Sequence, residues 1–281
     1  MEKILLAVNS HQIDTNTTNF ACYIAKITNS KLTALLLRER EPELISADRL
    51  NNSFYKKVMD VSVSDRKYIQ MDLDQEVRFF LKTCEKNGVQ GEVILKRENY
   101  EDNDSPADEA IRASRFADLL ILDAETSFDN EIEPLPTAFV KKVISDSECP
   151  VLIAPTSFDR IDDIVFCYDG SRSSVFAIKQ FTYVFPELLG KNVIVLEVGS
   201  ENKTKHKEQI SSWLRGNYNK IEFHELEGVP SEELFKYFFM KKNLFVVMGA
   251  YGRSDISNLF RKSSADLLVR TIDLPLFISH H

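Results

Sequence analysis

The chain has 281 residues, of which 43% are hydrophobic and 28% charged, with 9 glycines and 9 prolines. That balance supports a buried core and excludes collagen-like and disordered classes. A net charge of −8 argues against partners such as nucleic acid or an anionic membrane, whose phosphates are gripped by an excess of Lys and Arg. No signal-peptide h-region follows Met1 and no apolar run approaches ~20 residues, so a cytoplasmic protein is expected.

In chain order, apolar runs read as strands near 3–9, 31–37, 89–96, 117–123 and 149–154. The same series starts again at 163–169 and continues through 191–198, 220–226, 244–249 and 274–279. Lys3-Ile-Leu-Leu-Ala-Val-Asn resembles Asp163-Ile-Val-Phe-Cys-Tyr-Asp, and Glu148-Cys-Pro-Val-Leu-Ile-Ala resembles Asp273-Leu-Pro-Leu-Phe-Ile-Ser, so one unit is written twice. Strands of near-continuous apolar character, alternating with helical patterns, predict parallel sheets covered on both faces. Val175, Ile178, Phe181 and Phe185 recur at helical spacing behind Ser171, a cap residue, and Pro230 with Ser231 opens another helix carrying Leu234, Tyr237 and Phe238.

The expected fold class is therefore α/β, with two tandem, open, parallel five-stranded sheets flanked by helices. The first domain covers 1–156 and the second 160–281, divided at the polar run Pro155-Thr-Ser-Phe-Asp159. The first is longer, because residues 38–88 stand where the second has 199–219, and an insert at about 38–70 leads into a helix from about Asp65. That helix would turn Met71, Val77, Phe80, Leu81 and Cys84 inward. Cys22, Cys84, Cys149 and Cys167 lie far apart without a C-x-x-C pair, so buried thiols are expected rather than disulfides or a metal site.

The residues with most chemical content are Val246-Val-Met-Gly-Ala-Tyr-Gly-Arg-Ser254 and Arg261-Lys-Ser-Ser-Ala-Asp266. Gly249 and Gly252 allow a sharp turn after a strand, with backbone N–H groups close to a ligand. Ser263 and Ser264 open a helix whose free N–H groups and dipole favour an anion, and Arg253, Arg261 and Lys262 add positive charge. Each feature also has a plain structural reading, as a turn or a helix cap. Tyr168, Asp169 and Val198 end the first two strands of this copy and face the crevice where open parallel sheets bind ligands. Asp169 could equally cap the helix that follows.

On these residues the chain resembles a tandem universal stress protein, a family with a Rossmann-like HUP-type fold. The family's motif, Gly-x2-Gly-x9-Gly-Ser/Thr after the fourth strand with an aspartate after the first, is matched by Gly249, Gly252, Ser263 and Asp169. Its third glycine is replaced by Lys262, which carries a conformational cost if the position needs positive φ but places an ammonium near the phosphates. The resemblance implies ATP or another adenine nucleotide, with Mg²⁺, in the second copy. It also implies pairing of the two units through their last strands, Val151-Leu-Ile-Ala154 and Leu276-Phe-Ile-Ser279, as an internal pseudo-dimer, with a homodimer open as a further assembly.

In the first copy Asp123 and Thr126 stand at the two glycine positions, Thr137-Ala138 stand opposite Lys262-Ser263, and Asn9 replaces Asp169. Glu125, Asp129, Glu131 and Glu133 crowd the loop where phosphates would sit, so this copy should bind no nucleotide. No Gly-x-Ser-x-Gly elbow, Walker motif or histidine pair points to catalysis, and the chain is not expected to be an enzyme. Two functions follow: a nucleotide-dependent regulator acting on an unknown protein partner, or a nucleotide-free interaction protein that keeps the fold alone.

Overall fold

The computed structural model describes residues 1–10, 13–38, 74–95, 105–129, 132–198, 206–249 and 273–279. The first half contains β1 (Lys3–Asn9), α1 (Thr15–Ile27), β2 (Lys31–Leu37), α2 (74–87), β3 (Gly91–Leu95), α3 (Pro106–Ser114), β4 (Leu119–Asp123), α4 (Ala138–Asp146) and β5 (Val151–Ala154). The second contains β6 (Asp163–Tyr168), α5 (Arg172–Val184), β7 (Asn192–Val198), α6 (Lys207–Arg215), β8 (Ile221–Leu226), α7 (Pro230–Phe238), β9 (Leu244–Gly249) and β10 (Leu276–Ser279). Among the described residues no helix is long and apolar enough to cross a membrane.

The ten strands form one sheet in the order β3-β2-β1-β4-β5-β10-β9-β6-β7-β8. This corrects the expectation of two sheets. Every neighbouring pair is parallel except β5 and β10, which run antiparallel with Leu276 opposite Ile153, Phe277 opposite Leu152 and Ile278 opposite Val151. Left open, these two largely apolar strands would expose unpaired N–H and C=O groups beside a hydrophobic face, and joining satisfies both.

Successive residues of a strand point to opposite faces, so each central strand feeds two cores. Ile4, Leu6, Ile164 and Phe166 belong to one core, with Phe20 and Ile24 of α1 and Ile178 and Phe181 of α5. Leu5, Ala7, Val165 and Cys167 belong to the other, with Val140 and Val143 of α4 and Leu234 and Phe238 of α7. Both cores run unbroken through the β5–β10 join. Phe277 of β10 lies edge-on to Phe181 and Phe185, at 5.4 and 6.0 Å between ring centres.

Local chemistry places the helix ends. Asp14 accepts from the Thr17 amide at 2.6 Å to open α1, Ser105 and Asp108 form a reciprocal capping box ahead of α3, and Ser171 accepts from Ser174 at 3.1 Å to open α5. Several strands begin later than the apolar runs suggest: β3 at Gly91, β4 at Leu119, β5 at Val151 and β10 at Leu276. Pro150 and Pro275 stand immediately before β5 and β10 and have no N–H to give a ladder. In α2, Phe80 and Cys84 are buried as expected, but Leu81 is 40% exposed, because one step from Phe80 around the helix turns it to the outside. The insert from residue 39 and the proposed helix start at 65–73 lie outside the described residues. All four cysteines are free and buried.

The connection between the halves is held at both ends. Phe158 packs on Phe20 and Tyr23 of α1 at 4.9 and 4.7 Å, while the Thr156 hydroxyl and the Ser157 amide donate to Asp273, just ahead of β10, each at 2.9 Å.

Candidate functional site

In the second half, β6 has β7 on one side and β9 on the other, and β9 continues to β10, so the strand order reverses between β6 and β9. Ligand crevices of open α/β sheets lie beyond the carboxyl ends of the strands at such a point. Tyr168 and Gly249 are the last residues of these two strands. Tyr168 is buried on the α5 side, and burial, followed by the nearby charges of Glu197 and Asp169, pushes its hydroxyl above its ordinary range. Asp169 is exposed at the strand end, where its Oδ1 accepts from the Ser171 amide at 2.9 Å, so the carboxylate shapes the turn into α5. Gly170 completes that turn with φ +74°, a left-handed conformation open to glycine.

Gly249 meets a close constraint. A Cβ there would lie 2.4 Å from the Ser173 carbonyl carbon and 2.6 Å from both the Ser173 oxygen and the Ser174 nitrogen. The backbone that approaches this glycine is the first turn of α5, which is thereby seated against the end of β9. Val198 ends β7, half-buried and paired with Leu226. The structure thus brings Tyr168, Asp169, Val198 and Gly249 to one end of the sheet. Gly252, Arg253, Lys262, Ser263 and Ser264 lie outside the described residues.

The corresponding crevice of the first half is a cavity of about 480 Å³, bounded by Asn9, Asp14, Asp123, Glu125, Thr126 and Ile153 among others. Its wall is acidic. Burial, with the charges of Glu125 and Asp14, pushes the Asp123 carboxyl above the usual carboxylate range, against the backbone N–H groups of Glu125 and Thr126 that hold it down. A site that already resists one negative charge resists a phosphate more strongly. Asn9, in the position of Asp169, donates from Nδ2 to the Ser127 carbonyl at 2.8 Å and so holds the loop across the cavity.

That loop closes on itself. The Ser127 hydroxyl donates to Glu133 Oε2 at 2.5 Å, the Ala138 amide donates to Glu133 Oε1 at 3.1 Å, and the Thr137 hydroxyl donates to the Thr126 carbonyl at 2.5 Å. Glu131 lies outside the described residues. Two contributions were not drawn from the sequence. Asp14 reaches this cavity, although its position ahead of the α1 pattern marks only a cap, and Glu133 sits on a helix start rather than in solvent.

No family sequence model and no curated protein sequence matches the chain. Solved structures do. A universal stress protein from Archaeoglobus fulgidus DSM 4304 superposes with a TM-score of 0.66 at 15% identity, over 99% of this chain and 96% of its own. A functionally unknown protein from Pseudomonas aeruginosa PAO1 gives 0.55 at 15% identity over 100% and 92% of the two chains. A protein from Pseudomonas aeruginosa UCBPP-PA14, provisionally named a universal stress protein, gives 0.54 at 15% identity over 100% and 93%. Likeness at this identity is likeness of backbone, and it extends over nearly the whole chain: the protein has the fold of the universal stress proteins, with two copies of the unit in one polypeptide.

Proposed function

We propose that the protein is a regulatory protein of the universal stress protein type, which binds ATP or a related adenine nucleotide with Mg²⁺ in its second copy only. It acts in the cytoplasm by reporting nucleotide occupancy to a protein partner, without catalysis of its own. The observation that supports this reading is the meeting of the α5 N-terminus, the Asp169 turn and Gly249 where the strand order reverses. A helix start offers N–H groups and a positive dipole end, and an exposed carboxylate beside it suits a ribose hydroxyl. Gly252, Lys262 and Ser263 follow in the sequence as the remaining parts of a phosphate loop.

Titration calorimetry with ATP–Mg²⁺ on the wild type and on Gly252→Val tests it. Saturable heat in the wild type that is lost in the variant is the expected result. Absence of heat in both would leave the protein as a nucleotide-free interaction module. Lys262→Gly, which restores the third glycine, should bind more tightly than the wild type.

A further inference from the structure

Cys22 of α1 and Cys84 of α2 stand 62 positions apart in the chain, yet their sulfurs meet at 3.8 Å, with the Cys22 thiol donating to the Cys84 sulfur. Both side chains are buried, in the same core as Phe20 and Phe80. The first residue of β3 is Gly91, where a Cβ would lie 2.9 Å from both the Cβ and the Sγ of Cys84, so the glycine keeps the space that this cysteine fills. At the end of α2, Asn87 Nδ2 donates to Asn19 Oδ1 of α1 at 3.4 Å, a second tie between the two helices. We propose that Cys22 and Cys84 are a redox pair, which hydrogen peroxide closes into an internal disulfide that braces α2, the helix leading into the edge strand β3, against α1.

The hydrogen bond between the thiols sorts their roles. It lowers the Cys84 thiol from its ordinary range, against the effect of burial, and raises that of Cys22, so Cys84 is the sulfur that ionises and reacts first. The Cys84 thiolate attacks one peroxide oxygen, the O–O bond breaks, and Cys84 becomes a sulfenic acid as hydroxide leaves. That hydroxide takes the proton of the Cys22 thiol. The Cys22 sulfur then attacks Cys84 Sγ, forms the S–S bond and expels a second hydroxide, which takes up the proton that Cys84 first gave up. The two cysteines together lose two electrons and two protons, and the peroxide is reduced to two waters. Burial pushes the Cys149 and Cys167 thiols up to about 12 each, which keeps them protonated. Access comes at the margin of the sheet: β3 is its last strand, and elements at an edge open locally at lower free energy than the centre.

The test treats the reduced full chain with hydrogen peroxide under native conditions, blocks the remaining thiols after unfolding in acid, and maps linked peptides by mass spectrometry. A Cys22–Cys84 linkage should exceed every other pairing about tenfold or more, because the contact gives this pair a high effective concentration. Cys149 and Cys167 should stay open to alkylation. In Cys22→Ala the linkage should vanish and the reaction should stop at a sulfenic acid on Cys84, which dimedone traps. The thermal midpoint of the oxidised wild type should rise by about 5 °C over the reduced chain and fall back with dithiothreitol. If Cys22→Ala does not fold, the wild-type map and midpoint decide alone. A native chain in which both cysteines remain free thiols, or pass to sulfinic acid without linking, would overturn the pair. A linked chain whose midpoint does not rise would overturn the brace. The readout uses no nucleotide, so neither result bears on the calorimetric test of the second copy.

Discussion

Gly249 shows how one residue type answers more than one demand. Its place after a strand and ahead of Gly252 reads as part of a phosphate turn, and that much is legible in the sequence. The reason a side chain cannot stand there is a contact with Ser173 and Ser174, some 75 residues away in the chain, which no local pattern displays. Gly249→Ala would force a backbone-to-backbone clash that no rotamer can relieve, and we expect it to cost about 2–4 kcal/mol in denaturant unfolding. A loss below about 0.5 kcal/mol would show that α5 is not seated against the strand as described. Asp169 does not cap α5, a place that Ser171 holds; its carboxylate accepts from the Ser171 amide instead and stays exposed at the strand end.

Among the elements, the strands were read throughout, and with them the starts of α5 and α7, because Ser171 and Pro230 are signals written next to the helices they open. The Ser105–Asp108 box before α3 is local chemistry of the same kind, but it was not drawn from the sequence. How the helices hold one another is less visible. Lys142 of α4 reaches Asp108 of α3 at 2.5 Å, and this lysine, with the Ser105 hydroxyl, holds the Asp108 carboxyl at about 2, below the usual carboxylate range. The folded value lies below the unfolded one, so the stabilisation is complete above roughly pH 4 and is lost as pH falls through about 2. Asp108→Asn should therefore lower the thermal midpoint at pH 7 and narrow its gap to the wild type as pH falls towards 2. A gap that stays constant with pH would show that the pair contributes nothing. The exposure is appreciable, so the effect should be modest and sensitive to salt.

For the molecule as a whole, the β5–β10 join makes two copies one unit. A sheet and two cores that pass through the join predict a single cooperative transition. Trp213, the only tryptophan, lies in α6 and reports the second half alone, whereas far-UV circular dichroism reports both. The two signals should coincide in the wild type. Phe277→Ala empties a wholly buried site beside Phe181 and Phe185 and should cost about 3–5 kcal/mol, moving both signals together. A circular dichroism step left behind at the wild-type midpoint would mean that the first half folds independently of the second.

The sequence by itself determined that the chain is α/β, that one unit occurs twice, which runs form strands, and that the first copy's loop is acid where the second copy's is basic. Those properties depend on near neighbours and on periodicity, which a linear string carries. Only the tertiary structure decided that ten strands make one sheet, that Gly249 is demanded by the start of α5, that Leu81 faces outward, and that Glu133 sits on the start of α4. Each of these depends on which distant backbone or side chain fills a given space, and that is set by packing all the elements together.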